Sequence, residues 1–224
     1  MIPETIRLVE GLSGEREERI LTGERALSRA VELLAGGAIL AHPTSTVYGL
    51  GGRVRDDVGR EIARLKGREA SRPLIRVAAS LSELEAELGN ARWNAVARRL
   101  ASRFWPGPLT IVLDDETETG VAVRVDSHPL LRAVLERSGG LMTSTSLNRS
   151  GLDPVRSGQG ALDLLREIGG GDIPVAVLDG GELSPGPAST IVSVRDGVSV
   201  LRSGAITRRD IEDAIRDGSA PEPV

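Results

Sequence analysis

Short apolar runs bounded by glycine or proline alternate along this chain with stretches of helical periodicity. No single motif constrains the fold as tightly as that alternation. Between Glu24 and Ala35, Ala26, Leu27, Ala30, Val31 and Leu34 recur at the i, i+3, i+4 spacing of an amphipathic helix. Gly36-Gly37 stop it, and Ala38-Ile-Leu-Ala41 then reads as a buried strand. The same rules predict strands at 73–78, 109–113, 121–125, 141–145, 174–178, 190–194 and 198–202. They predict helices at 57–65, 90–104, 129–136 and 160–168, and a last one capped by Thr207 and ending near Arg216. Asp56 or Asp57 is the expected cap of the second helix, and Ser80-Leu-Ser-Glu83 is a capping box opening a short one. Residues 2–9 are expected as a short edge strand and 14–23 as a polar loop. The pairs 109–113/121–125 and 190–194/198–202 have the spacing of hairpins. The expected fold class is therefore α/β, a single-domain mixed sheet flanked by helices.

Composition narrows the chemistry. The 224 residues include no cysteine, which excludes a disulfide framework, a thiol nucleophile and cysteine-ligated metal. The formal charge is −4 and the pI about 5.4, so a broad phosphate-neutralising face is not expected, and direct nucleic-acid binding should be weak or absent. No apolar run approaches the roughly 18 residues of a membrane span. The opening Met1-Ile-Pro-Glu-Thr-Ile-Arg7 has an early acid and no apolar core. The expectation is a cytoplasmic protein without membrane attachment. With only His42 and His128, neither in a recognisable catalytic setting, no protein-held metal is expected. Lys66 is the only lysine among 28 basic residues. A compact ammonium is not interchangeable with a planar guanidinium where one oxygen must be met at one point.

P-loop, dinucleotide and nucleophile-elbow motifs are all absent. What remains is a series of polar, glycine-bounded segments at strand ends. His42-Pro-Thr-Ser-Thr-Val-Tyr-Gly-Leu-Gly-Gly52 offers hydroxyls and backbone N–H groups, either to an anion or as an ordinary turn. Leu65-Lys-Gly-Arg68 puts two cations at a helix end, where the macrodipole alone would favour them. Phe104-Trp-Pro-Gly-Pro108 suits packing and a rigid corner. Arg124 lies in an apolar strand and must meet a carboxylate, of the protein or of a ligand. Thr143-Ser-Thr-Ser-Leu-Asn-Arg-Ser-Gly151 is the most polar strand-to-loop transition. It sits where open α/β sheets bind ligands. Arg202 closes an apolar strand. Hydroxyls, amides and guanidinium groups without an acid/base pair position anions and stabilise developing charge, which suits phosphoryl or nucleotidyl transfer.

Pro-Thr-Ser-Thr-Val-Tyr-Gly-Leu-Gly, Leu-Lys-Gly-Arg, Trp-Pro-Gly-Pro-Leu-Thr, Val-Arg-Val, Ser-Leu-Asn-Arg-Ser-Gly, Ser-Thr-Ile and Leu-Arg-Ser-Gly follow one another in the order of the YrdC-like family, which this chain resembles over about residues 24–215. The resemblance implies a twisted mixed sheet with a concave basic cleft, with 1–23 as an N-terminal extension, 24–218 as the catalytic domain and 219–224 as a frayed tail. It implies a nucleotidyltransferase that makes threonylcarbamoyl-AMP and pyrophosphate from L-threonine, bicarbonate and ATP with Mg2+. The product serves the threonylcarbamoyladenosine modification of tRNA, installed by partner proteins. Carried over by motif, Lys66, Arg68, Ser146 and Asn148 are the expected catalytic residues. Lys66, Arg68, Thr110, Asn148, Arg156 and Arg202 would bind ATP, and Thr44, Arg124, Ser146 and Thr190 would bind threonine.

This sequence departs from the family pattern in places. Ser45 stands where Asp or Glu is usual, Thr145 and Leu147 replace a proline and an alanine, Arg76 replaces a frequent histidine, and Ser203 replaces a proline. Loss of the acid and gain of Arg76 should make the cleft more positive. Rival readings are a sister protein handling another carbamoyl-adenylate, a non-enzymatic RNA-binding module, and a Lys66 Schiff-base enzyme.

Overall fold

The computed structural model describes residues 3–12, 18–69, 73–115, 117, 119–169 and 171–216. Its strands are β1 (Arg7–Glu10), β2 (Arg19–Thr22), β3 (Ile39–His42), β4 (Gly49–Arg53), β5 (Ile75–Ala78), β6 (Leu109–Leu113), β7 (Val121–Val125), β8 (Met142–Ser146), β9 (Val175–Asp179), β10 (Thr190–Ser193) and β11 (Ser199–Arg202). Its helices are α1 (Gly23–Ala35), α2 (Asp56–Lys66), α3 (Leu81–Leu88), α4 (Ala95–Phe104), α5 (Pro129–Ser138), α6 (Gly158–Ile168) and α7 (Arg208–Arg216). The strands form one mixed sheet in the order β11-β10-β6-β7-β5-β8-β4-β3-β9-β1-β2. Both expected hairpins, β6/β7 and β10/β11, are antiparallel pairs.

Helices cover both faces because the central strands are apolar on both sides. Along β3, Leu40 packs beneath α1 and α5 with Ala26, Leu27, Leu130 and Val134, while Ile39 and Ala41 face α2 and α6 with Ile62 and Leu165. A third cluster joins α4 and α7 to β6, β7 and β10 through Leu100, Ile111, Val123, Val192 and Ile211.

Local expectations fail where the cause is distant in sequence. β4 reads as a glycine turn, yet it pairs with both β3 and β8. Residues 2–9 were expected at an edge, but β1 lies between β9 and β2, and β2 occupies part of the expected loop. The helix expected at 90–104 is broken. A 3-10 turn at Asn90–Arg92 precedes a fresh start in which Asn94 caps α4 by accepting the Ala97 N–H at 2.8 Å. α2 has Arg55 rather than an aspartate at its N-cap, without a side-chain capping bond. The Ser80 cap forms as expected, accepting the Glu83 N–H at 3.2 Å. The tail expected at 219–224 lies outside the described residues.

Candidate active site

Strand pairing brings the polar segments to one face of the sheet. Ser144 of β8 stands opposite Gly51 of β4 and Ile75 of β5, and Val77 of β5 stands opposite Arg124 of β7. Thr110 of β6 pairs with Ile191 of β10, which pairs with Arg202 of β11. A strand's side chains alternate between faces, so these positions share one side. A cavity of about 240 Å³ opens there, lined among others by Thr44, Gly49, Arg68, Arg124, Asp126, Ser144, Ser146, Ser189 and Arg202. Three guanidinium groups against one carboxylate make it cationic.

Lys66 is the last residue of α2. Gly67 follows in the left-handed conformation (φ 59°), which only glycine adopts cheaply, and turns the chain so that Arg68 leaves the helix toward the cavity. The Lys66 side chain does not follow. It is 4% exposed and donates to the carbonyl of Ser146, to the carbonyl of Asn148 at 2.9 Å and to the Asn148 side-chain oxygen at 2.7 Å. Ser146 Oγ donates to that same oxygen at 2.7 Å. The Asn148 amide is held in turn by the carbonyls of Arg149 and Leu152, each at 2.8 Å. Burial, and then the nearby charge of Arg68, pull the Lys66 ammonium down to about 8. Lys66, Ser146 and Asn148 thus form one bonded knot, with Ser146 at the cavity and Lys66 behind it.

Arg124 meets its expected carboxylate within the protein. Its Nη2 lies 2.5 Å from Asp126 Oδ2 and donates to Ser45 Oγ at 2.8 Å, and its Nε donates to the Gly107 carbonyl at 3.0 Å. That carbonyl belongs to the Trp105-Pro106-Gly107-Pro108 corner, whose Gly107 N–H in turn donates to Val125. Burial lowers the Arg124 guanidinium below its ordinary range, and the Asp126 charge opposes the shift. Asp126 also accepts the backbone N–H groups of Ser45 at 2.9 Å and His128 at 2.8 Å. The Ser45 hydroxyl donates to Asp126 Oδ2 at 3.2 Å, so a carboxylate at β7's end lies beside position 45. Arg76 faces away from Ile75 and Val77 into a separate small pocket with Glu87 and Asp115. Arg76 therefore adds no charge to this cavity, contrary to expectation.

Of the other expected residues, Thr44 lines the cavity, its hydroxyl donating to Val47 O at 2.6 Å. Arg202 lines it across from Ser146, donating to the carbonyl and hydroxyl of Ser189 at 2.9 Å, and burial lowers its guanidinium. Three residues fall elsewhere. Thr110 is on the cavity side but fully covered, 3.3 Å from Ser189 Oγ. Thr190 is one step along β10 from Ile191 and so points to the far face, where its hydroxyl donates to Ile206 O at 2.6 Å. Arg156 is a strap that donates to the carbonyls of Thr46, Ser184 and Gly186, tying two loops together. Sequence reasoning passed over several wall residues, Asp126, Ser144 and Ser189 among them. Asp126 was legible beside Arg124 as the carboxylate that a buried guanidinium demands, whereas nothing local singled out Ser144.

The structure is a helix-flanked, mixed-sheet α/β protein with a cation-lined cavity on one face of the sheet. The model for the family described as "Telomere recombination", which groups Sua5, YciO and YrdC, matches residues 32–204, and the chain belongs to that family. It is 35% identical over 211 residues to the threonylcarbamoyl-AMP synthase of Bacillus subtilis, covering 88% of this chain and 59% of that one. It is 34% identical over 186 residues to the protein of the same name in Chromohalobacter salexigens, covering 79% and 96%. The chain thus spans about three fifths of the Bacillus subtilis relative and nearly all of the Chromohalobacter one. Among solved structures, Pyrococcus abyssi Sua5 complexed with L-threonine superposes with a TM-score of 0.76 at 31% identity, covering 87% of this chain and 58% of that one. Escherichia coli YciO superposes at 0.72 with 25% identity, covering 85% and 95%. No helix among the described residues is long and apolar enough to cross a membrane.

Proposed function

We propose that this protein is a nucleotidyltransferase that condenses L-threonine, bicarbonate and ATP into threonylcarbamoyl-AMP and pyrophosphate, an intermediate for threonylcarbamoyladenosine in tRNA. The observation that carries this reading is the convergence of Arg68, Arg124 and Arg202 on one cavity walled by the Lys66–Ser146–Asn148 knot. The names of the relatives support it.

In this reading the threonine amine adds to carbon dioxide derived from bicarbonate. A carbamate oxygen attacks the α-phosphorus, and the bond to the β-phosphate oxygen breaks to release pyrophosphate. Arg68 and Arg202 face the triphosphate, with the Lys66 charge behind Ser146 and Asn148 adding to the positive field where charge develops. Thr44 and Ser146 face the amino acid. Arg124, already committed to Asp126 and Ser45, fixes the wall rather than closing on a carboxylate. Magnesium fits this donor set only as a companion of ATP. The one carboxylate in the cavity is occupied by Arg124 and two backbone N–H groups, and no metal-holding group of acidic or histidine side chains exists among the described residues. Partner proteins would take the product onward to tRNA.

The test is pyrophosphate release from ATP and bicarbonate, with and without L-threonine. Threonine-dependent release is the expected result. Release indifferent to the amino acid would point to another carbamoyl-adenylate. RNA affinity that falls steeply with salt, with no ATP turnover, would replace the enzyme by a binding module.

A further inference from the structure

The imidazole of His42 is 1% exposed and lies across β4, where Gly49 and Gly51 leave room for it. A Cβ at Gly49 would sit 2.7 Å from His42 Cε1 and 2.9 Å from Ser144 Oγ, and one at Gly51 would sit 3.3 Å from His42 Nε2. The glycines that disguised β4 as a turn are thus a channel through which a β3 side chain reaches β8. Nδ1 is 3.3 Å from the Pro43 carbonyl, and Nε2 is 3.2 Å from Ser144 Oγ.

Donor accounting fixes the direction of both bonds. A carbonyl only accepts, so Nδ1 carries the ring proton. Burial holds the ring neutral, lowered to about 4. Nε2 is then bare, and Ser144 must donate to it. We infer that His42 is a positioning residue that takes the Ser144 hydroxyl proton, so that Ser144 presents its oxygen to the bound amino acid as an acceptor for an N–H or O–H donor. Ser144 lines the cavity beside Ser146, whose hydroxyl proton is likewise spent inward, on Asn148 Oδ1, whereas the nearby Thr44 hydroxyl is closed, donating to Val47 O and accepting the Thr46 and Val47 N–H groups. This corner therefore offers oxygen lone pairs, while Arg68 and Arg202 offer positive charge. A ligand with a donor group at one end and anionic oxygens at the other fits both. The amino-acid part of the inference rests on the proposed function.

With only two histidines in the chain, ¹⁵N NMR of histidine-labelled protein reads the tautomer directly. His42 should show a protonated Nδ1 and a bare Nε2 at neutral pH, and Ser144→Ala should shift the Nε2 resonance. The same variant should raise the Kd for L-threonine about tenfold, the loss of one hydrogen bond, and change the Kd for ATP less than twofold. A protonated Nε2, or a Ser144→Ala protein that binds L-threonine like the wild type, overturns the inference. Wild-type protein that fails to bind L-threonine at all overturns the proposed function instead, and with it the identity of the donor, while the tautomer still decides the role of His42.

Discussion

The Lys66 ammonium donates to both oxygens of Asn148, 2.7 Å to the amide and 2.9 Å to the carbonyl. With its third bond on Ser146, the only lysine of the chain is a brace whose three donors are all spent on one turn. A planar fork cannot meet three acceptors that converge on one point. Lys66→Arg should lower the unfolding free energy by about 1–3 kcal/mol and abolish most pyrophosphate release. Denaturant titration with a parallel turnover assay checks both, and an arginine variant as stable as the wild type would remove the brace.

Arg124 and Asp126 are both buried and paired at 2.5 Å. Removing one partner leaves an uncompensated buried charge, which typically costs about 3–5 kcal/mol. Arg124→Met and Asp126→Ala should each reach that range, and the double variant should lose distinctly less than their sum. Additive losses in this cycle would mean that the two side chains are not energetically coupled.

Gly49→Ala and Gly51→Ala test the channel across β4. At Gly49 the new methyl meets side chains, those of His42 and Ser144, which have some freedom to shift. At Gly51 it would fall 2.2 Å from the Thr143 carbonyl, which belongs to the paired backbone. Overpacking of this kind costs about 1–3 kcal/mol, and Gly51→Ala should be the worse of the two. Thermal melts of both proteins give the order.

His42 titrates near 4 when folded and near its ordinary 6.5 when unfolded. Between those values the unfolded chain binds the extra proton. The His42 contribution is therefore complete above about pH 6.5 and lost as the pH falls through 4, by up to roughly 3 kcal/mol. His42→Phe should flatten the dependence of unfolding free energy on pH across this window. Equal slopes in the two proteins would exclude His42 as the source.

Arg202 closes β11, its guanidinium fastened to Ser189. Its truncation should spare stability and weaken ATP. For Arg202→Ala we expect a KM for ATP about tenfold higher or more, in line with the loss of a charge-assisted bond. An unchanged KM would place the triphosphate elsewhere.

Much of the fold was legible because most elements announce themselves locally. β6 and β7 follow from apolar runs around an acidic turn, and α1 from its apolar stripe. β4 was not legible, since Gly49 and Gly51 are there for His42 and Thr143, which no local window contains. The site divides in the same way. Motif order located Lys66, Arg68, Ser146, Asn148 and Arg202, and the structure gathers them. Thr190 and Arg76 were misplaced because carrying residues over by motif ignores strand phase: each neighbours a cavity-lining residue, and the alternation of side chains turns it away. Arg156 and Thr110 carry the right chemistry but are engaged elsewhere, one across two loops and the other under Ser189.

The order of the strands sets how this cavity comes into being. β5 is inserted between β7 and β8, and β10 docks beside β6, so the walls meet only after remote stretches of chain have found one another. Pairing of that kind is slow and forms late in folding. Residues 44–146 already carry Thr44, Arg68, Arg124, Ser144 and Ser146, but the wall of Ser189 and Arg202 arrives only with β10 and β11, so the last strands to dock complete the cavity.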